Sequence, residues 1–197
     1  IAEPVSVCTP TAFLSSLPTI ASAEEGFSFA LEAFRGGDMS VAGDYARSVI
    51  ARYPNTSWHK RALFLLGRTF IARDMTAEAE AVLLGVPAQY PELADYALLA
   101  LAEQYASKNR FADATNLYQR LMHDYPSSRI VPYASFRKAQ ALLDSGAFQE
   151  AATAFELSLR DYPRSEQAQD AALGLGNARA KAGDLAGAAR AYLDASV

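Results

Sequence analysis

One recurrence constrains this chain more than any other. Tyr-Pro occurs four times, at Tyr53-Pro54, Tyr90-Pro91, Tyr125-Pro126 and Tyr162-Pro163, at intervals of 37, 35 and 37 residues. Twelve residues before each proline stands an alanine (Ala42, Ala79, Ala114 and Ala151), and Ala188 continues the series after a further 37. A small residue also recurs upstream, at Ala30, Gly67, Ala102, Ala139 and Gly176. Turn-forming residues separate the two series: Gly36-Gly37-Asp38, Arg73-Asp74, Lys108-Asn109, Ser145-Gly146 and Gly183-Asp184. Self-similarity at this period is the signature of stacked supersecondary units, each needing its neighbour to bury its apolar face.

Each unit reads as two helices and a turn. From Ser57 to Ala72 the apolar residues Leu63, Leu66 and Phe70 fall at three- and four-residue steps, and after a polar turn a shorter helix forms around Ala79, Leu83 and Val86. Two helices approach closely only where one face is Gly or Ala, which explains the small positions. Proline ends the second helix because it lacks an amide proton and restricts the residue before it. The tyrosine ahead of it is expected to plug the gap between neighbouring units. Ser22, with Glu25 three residues on, reads as a capping box that opens the first repeat. The predicted class is all-α, an α-solenoid of about five helix-turn-helix units over residues 23–197, with no sheet.

Residues 1–22 differ from the rest. Pro4 to Ala23 carries no charge, but Pro4, Pro10 and Pro18 break the run, so it is not a membrane-spanning helix. It ends in Ala21-Ser22-Ala23, the small-x-small pattern of a signal-peptidase site, although no basic region precedes it and Val7 before Cys8 does not suit a lipoprotein cysteine. Two readings stay open: a leftover export-related segment, or a native N-terminal cap in which Phe13, Leu14, Leu17 and Ile20 pack on the first repeat.

These repeats resemble the tetratricopeptide repeat (TPR) family, a helix-turn-helix of about 34 residues with two fixed small positions and a closing proline. Gly67, Phe70, Ala79, Leu83 and Pro91 occupy pattern positions, as do Ala102, Tyr105, Ala114, Tyr118, Leu121 and Pro126. The pattern's early tryptophan is replaced by Leu63 and Leu98, and Arg179 stands where an aromatic is usual. The resemblance implies a TPR-type right-handed superhelix of about four and a half repeats, lined on its inner face by first helices. The endings Tyr125-Pro126-Ser127-Ser128 and Tyr162-Pro163-Arg164-Ser165 look like those of bacterial envelope TPR proteins. The stretch Tyr90 to Leu98 is similar to the non-catalytic N-terminal helical region of soluble lytic murein transglycosylases. Their catalytic module uses a Glu-Ser pair, and none occurs here. A periplasmic or envelope-associated location is the expectation that follows.

Signatures of chemistry are few in this sequence. There is no phosphate loop and no HExxH, and Gly174-Leu175-Gly176 lies inside a predicted helix, where close packing explains it. Glu24-Glu25 suits the first turn of a helix, and His123 beside Asp124 suits the end of one. His59 beside Trp58 reads as a repeat-boundary residue. With one cysteine there is no disulfide framework or cysteine cage, and 22 acidic against 18 basic residues argue against nucleic acid as a partner. No enzyme activity, cofactor or metal is expected of this chain.

The candidate site is therefore a surface. In the TPR register the inward positions include Phe27, Leu31 and Phe34, then Arg61, Phe64, Arg68 and Ile71, then Tyr96, Leu99 and Glu103. Tyr133, Phe136, Arg137 and Gln140 follow, then Asn177. Aromatic residues and arginine most often anchor interfaces. The family's carboxylate clamp is not reproduced, since Phe64, Leu99 and Phe136 stand where its lysine would. The expected partner is a protein or peptide segment, or a peptidoglycan-associated complex. Arg61, Arg68 and Arg137 point to acidic groups beside apolar side chains, bound in a salt-sensitive way.

Overall fold

The computed structural model describes residues 17–86 and 90–195. The chain divides at Ala94/Asp95 into two compact units. The first holds α1 (Ala23–Arg35), α2 (Met39–Arg52), α3 (Ser57–Ala72) and α4 (Thr76–Leu83), followed by a 3-10 turn at Pro91–Leu93. The second holds α5 (Ala94–Ser107, which opens at the boundary), α6 (Phe111–Asp124), α7 (Val131–Asp144), α8 (Phe148–Asp161), α9 (Ala168–Lys181) and α10 (Leu185–Asp194). Among the described residues there is no strand. The all-α expectation holds, and α3 has the bounds that the apolar spacing predicts. The helix around Ala79 stops at Leu83, ahead of Gly85, and is the shortest of the set.

The five turns within repeats share one backbone solution. Gly37, Asp74, Asn109, Gly146 and Gly183 have positive φ, of 85°, 61°, 58°, 85° and 92°. Their spacing is that of the repeat. At each, the positive-φ residue donates its N–H to a carbonyl three residues back, as from Gly37 to Phe34 (3.2 Å) and from Gly146 to Leu143 (3.1 Å). The next residue reaches five back, from Asp38 to Ala33 (2.9 Å) and from Ala147 to Leu142 (3.0 Å). This is the Schellman closure of a helix, which needs a residue tolerant of the left-handed region, hence Gly, Asn or Asp. Asp38 and Asp184 then cap the following helices, accepting from Val41 N and Gly187 N.

The other ends repeat as well. Tyr53, Tyr125 and Tyr162 close α2, α6 and α8 at φ near −130° and ψ near 55°, outside the helical region, as a residue before proline requires. Their rings are half-buried.

The small positions are where helices touch. Ala30, Ala102, Ala139, Ala42, Ala79, Ala114 and Ala151 have no exposed surface, and Ala188 is 3% exposed. A Cβ on Gly67 would lie 2.4 Å from Leu83 Cδ2, one on Gly174 2.4 Å from Phe155 Cζ, and one on Gly176 2.4 Å from Tyr192 Cε1. Gly174-Leu175-Gly176 is thus close helix packing, as the sequence indicates. In the second unit Phe155 is fully buried among Ala139, Ala151, Ala171, Leu175, Ala178 and Ala191. Arg179, which replaces an aromatic, instead pairs with Glu156 and donates to Gly187 O (3.2 Å).

In the first unit the segment before α1 is fastened to the helix pair. Leu17 and Ile20 are buried. Ser48 Oγ donates to Pro18 O (2.7 Å), and Tyr53 Oη donates to Ile20 O (3.5 Å). Ser22 Oγ accepts from Glu25 N, while Glu25 reaches one residue past the usual capping box, to Ala21 N (2.6 Å). Leu17 and Ile20 therefore pack as a cap would; Phe13 and Leu14 lie outside the described residues.

Candidate functional site

First helices of successive repeats adjoin one another, α1 with α3 in the first unit and α7 with α9 in the second. In the first unit this places Phe27 of α1 against Trp58 of α3, with ring centroids 5.4 Å apart. Arg61, one turn further along α3, sets its guanidinium 4.8 Å from the Trp58 ring. Such stacking orients a cation and is worth about 0.5–1 kcal/mol at an exposed site. Phe34 and Phe64 are half-buried, and Arg68 is exposed. Trp58 is not one of the inward positions that the repeat register gives. The Trp-x-x-Arg spacing at the start of a helix is the signal that could have found it, because residues three apart share a face.

In the second unit Tyr133 and Arg137, four apart on α7, share a face with Glu103 of α5. The Tyr133 hydroxyl donates to Glu103 Oε1 at 2.8 Å. The Arg137 guanidinium lies 5.9 Å from the Tyr133 ring centroid. Beside it lies Tyr118 of α6, with no exposed surface and no acceptor for its hydroxyl; Arg137 Nε is likewise buried and unpartnered. Burial pushes the Tyr118 phenol up to about 12, against the opposing pull of the Arg137 charge. Burial, then the hydrogen bond to Glu103, also raises Tyr133. Arg137 itself is raised: burial works against its charge, but Tyr118, Tyr133 and Glu103 together more than offset it.

The remaining candidates do not join this group. Phe136 turns toward the core, its ring 6.1 Å from Phe155. Gln140 donates to Asp144 (2.8 Å), and Tyr96 is half-buried at the start of α5, its backbone N–H on Asp95 Oδ1 (2.8 Å). Asn177 accepts from the Tyr192 hydroxyl (2.7 Å) and borders a separate open cleft of about 800 Å3. There Phe111, Phe148 and Lys181 meet, with Lys181 Nζ 5.4 Å from the Phe148 ring. His123 is exposed at the end of α6 and bonds Asp124 Oδ1 (2.9 Å). That hydrogen bond is the main reason the Asp124 carboxyl is lowered. Among the described residues no cluster of His, Cys, Asp and Glu could hold a metal ion, and no helix is long and apolar enough to cross a membrane.

Comparison with known proteins agrees with this architecture. Residues 99–166 and 136–197 match one tetratricopeptide repeat family model, and residues 61–92 match another. The chain is similar in structure to a MamA protein, with a TM-score of 0.71 at 17% identity over 88% of this chain and 89% of that one. MamA from Desulfovibrio magneticus RS-1 superposes with a TM-score of 0.71 at 13% identity, over 91% and 96% of the two chains. A tetratricopeptide repeat protein from Parabacteroides merdae gives a TM-score of 0.71 at 17% identity, over 88% of this chain and 65% of its own. At these identities the likeness shows the fold. No curated protein matches the chain in sequence.

Proposed function

The chain belongs to the tetratricopeptide repeat family, and on that footing we propose that it is a non-catalytic scaffold that binds a protein or peptide segment on the faces of its first helices. The observation that carries this reading is the pairing of arginine with half-exposed aromatic rings on those faces. Phe27, Trp58 and Arg61 form one group, Tyr133 and Arg137 the other. Rigid aromatic surface held beside a cation is costly to leave wet and is what interface centres are made of. In the first unit Arg61 and the exposed Arg68, with Phe64 between them, favour acidic side chains next to apolar ones.

A random peptide library displayed on phage, selected on the whole chain, tests the reading. Selected peptides should lose binding to Phe64→Ala and Tyr133→Ala, and acidic ones to Arg68→Glu, while Thr153→Ala on the exposed side of α8 leaves them unaffected. Peptides indifferent to every first-helix change would overturn it.

The proposal includes a place in the bacterial cell envelope, supported by the Tyr-Pro-x-Ser helix endings. Recovery of the native protein from the cytosolic fraction alone would exclude it. A second reading, the helical arm of an envelope enzyme that remodels peptidoglycan, is favoured by the stretch Tyr90 to Leu98. Co-sedimentation of the chain with purified peptidoglycan sacculi distinguishes it from the first.

A further inference from the structure

The open cleft of about 800 Å3 in the second unit is bordered by turns within repeats, and its lining follows the repeat register. We infer that Phe111 and Asp144 form a seat there for a basic side chain, lysine or arginine, presented by a protein or peptide partner. The seat lies at the turns rather than on the first-helix faces, so it stands or falls independently of binding there.

Phe111 and Phe148 open the second helices α6 and α8, 37 residues apart, and both line the cleft. Asp144 and Lys181 end the first helices α7 and α9, also 37 apart, and line it too. Each ring therefore has the same partner position, 33 residues further along the chain. At Phe148 that position is a cation, and Lys181 Nζ sits 5.4 Å from the ring centroid. At Phe111 it is Asp144, and among the described residues no cation or second ring stacks on Phe111. One repeat thus carries its own cation on the ring, and the repeat before it carries a carboxylate beside a ring left bare.

The electrostatics of α7 point the same way. The C-terminal end of a helix carries partial negative charge and favours a cation. In its last turn α9 supplies Arg179 and Lys181, whereas α7 has no basic residue and ends in Asp144. The Asp144 side chain is exposed and borders the cleft. Gln140 donates to its Oδ1 (2.8 Å), which orients the carboxylate and leaves Oδ2 without a donor among the described residues. Arg110, next to Phe111 in sequence, is committed to the Tyr105 ring (4.0 Å) and to Asp113 (2.7 Å). A basic side chain that stacks on Phe111 and pairs with Asp144 satisfies the ring, the carboxylate and the helix end together. An acidic group would be repelled by Asp144, and an uncharged one would gain only the ring.

The test is an amide NMR titration of the whole chain, followed at Asn109 and Gly146, which line the cleft. The probes are Nα-acetyl-arginine methylamide, Nα-acetyl-lysine methylamide and, as the uncharged analogue, Nα-acetyl-norleucine methylamide. At least one cationic probe should shift both signals saturably and several-fold more tightly than the norleucine analogue, and the tighter of the two identifies the side chain. The dissociation constant should rise about two- to fivefold in Asp144→Asn, and by a similar factor in Phe111→Leu. Asp144→Lys, which gives Phe111 the cation that Phe148 already has, should abolish the shifts. Glu166→Lys makes the same charge change in the turn between α8 and α9 and should leave them intact. Lys181→Met removes the one like charge from the lining and should bind at least as tightly as the parent chain. No saturable shift from either cation, an equal response to the norleucine analogue, or undiminished binding by Asp144→Lys would each overturn the inference. If selected peptides respond to the first-helix variants while neither cationic probe moves Gly146, the scaffold reading stands and this seat falls.

Discussion

Replacing Gly174 with alanine tests whether the small positions act by admitting a neighbour's side chain. A Cβ there would stand 2.4 Å from Phe155 Cζ, 2.6 Å from Cε1 and 2.9 Å from Cε2. Carbon atoms pack at about 3.5–4.0 Å, so the ring must retreat by about 1 Å. Phe155 has no exposed surface and is enclosed by Ala139, Ala151, Ala171 and Leu175, so a rigid ring has nowhere to swing. Overpacking of this kind costs about 1–3 kcal/mol. Alanine returns about 1 kcal/mol through its better helix propensity, which leaves a net loss of up to about 2 kcal/mol. Gly43→Ala is the control: its Cβ would meet nothing nearer than 3.5 Å, so only the propensity gain of about 0.5–1 kcal/mol remains. Urea unfolding followed by circular dichroism should therefore give opposite signs for the two variants. Hydrogen exchange should localise the Gly174→Ala loss to α8 and α9. In a Phe155→Leu background the alanine should cost less, because the clashing ring is gone. A Gly174→Ala chain as stable as Gly43→Ala would refute the packing argument.

Two further outcomes follow from the backbone and from Tyr118. Gly146 has φ 85° with open space around a would-be Cβ, so Gly146→Ala should cost about 1 kcal/mol from conformation alone, and Gly146→Asn less, since Asn109 holds the equivalent turn; unchanged melting of the alanine variant would contradict this. Tyr118 is held neutral in the folded chain up to about pH 12, whereas it ionises near 10.0 when unfolded. Its contribution is thus intact below pH 10 and is lost as pH rises toward 12, by up to about 3 kcal/mol. Urea midpoints measured across that range should fall less steeply in Tyr118→Phe, and parallel curves would show that Tyr118 is not responsible.

The sequence by itself determined everything local and periodic. The 35–37-residue recurrence, the alanine and glycine registers and the Gly, Asn or Asp at each turn are properties of short segments, where backbone sterics and helix capping act within a few residues. That is why the helix pairs, the places of the turns and the bounds of α3 are legible in the sequence, while the Schellman closure of each turn is seen only in the structure. Part of the site was legible for the same reason: Tyr133 and Arg137 are four apart on one helix, so their shared face needs no tertiary information. What the first helices do with those side chains was decided only by packing. Phe27 meets Trp58, Tyr133 meets Glu103 and Phe136 turns to Phe155 across 31, 30 and 19 residues of chain. The buried, unpartnered Tyr118 hydroxyl next to Arg137 depends on a second helix lying against a first one at a particular depth. An identical repeat pattern is compatible with many such depths and rotations. Which inward residues stay on the surface, and which are drawn into the core, is set by the volumes of the neighbours they meet.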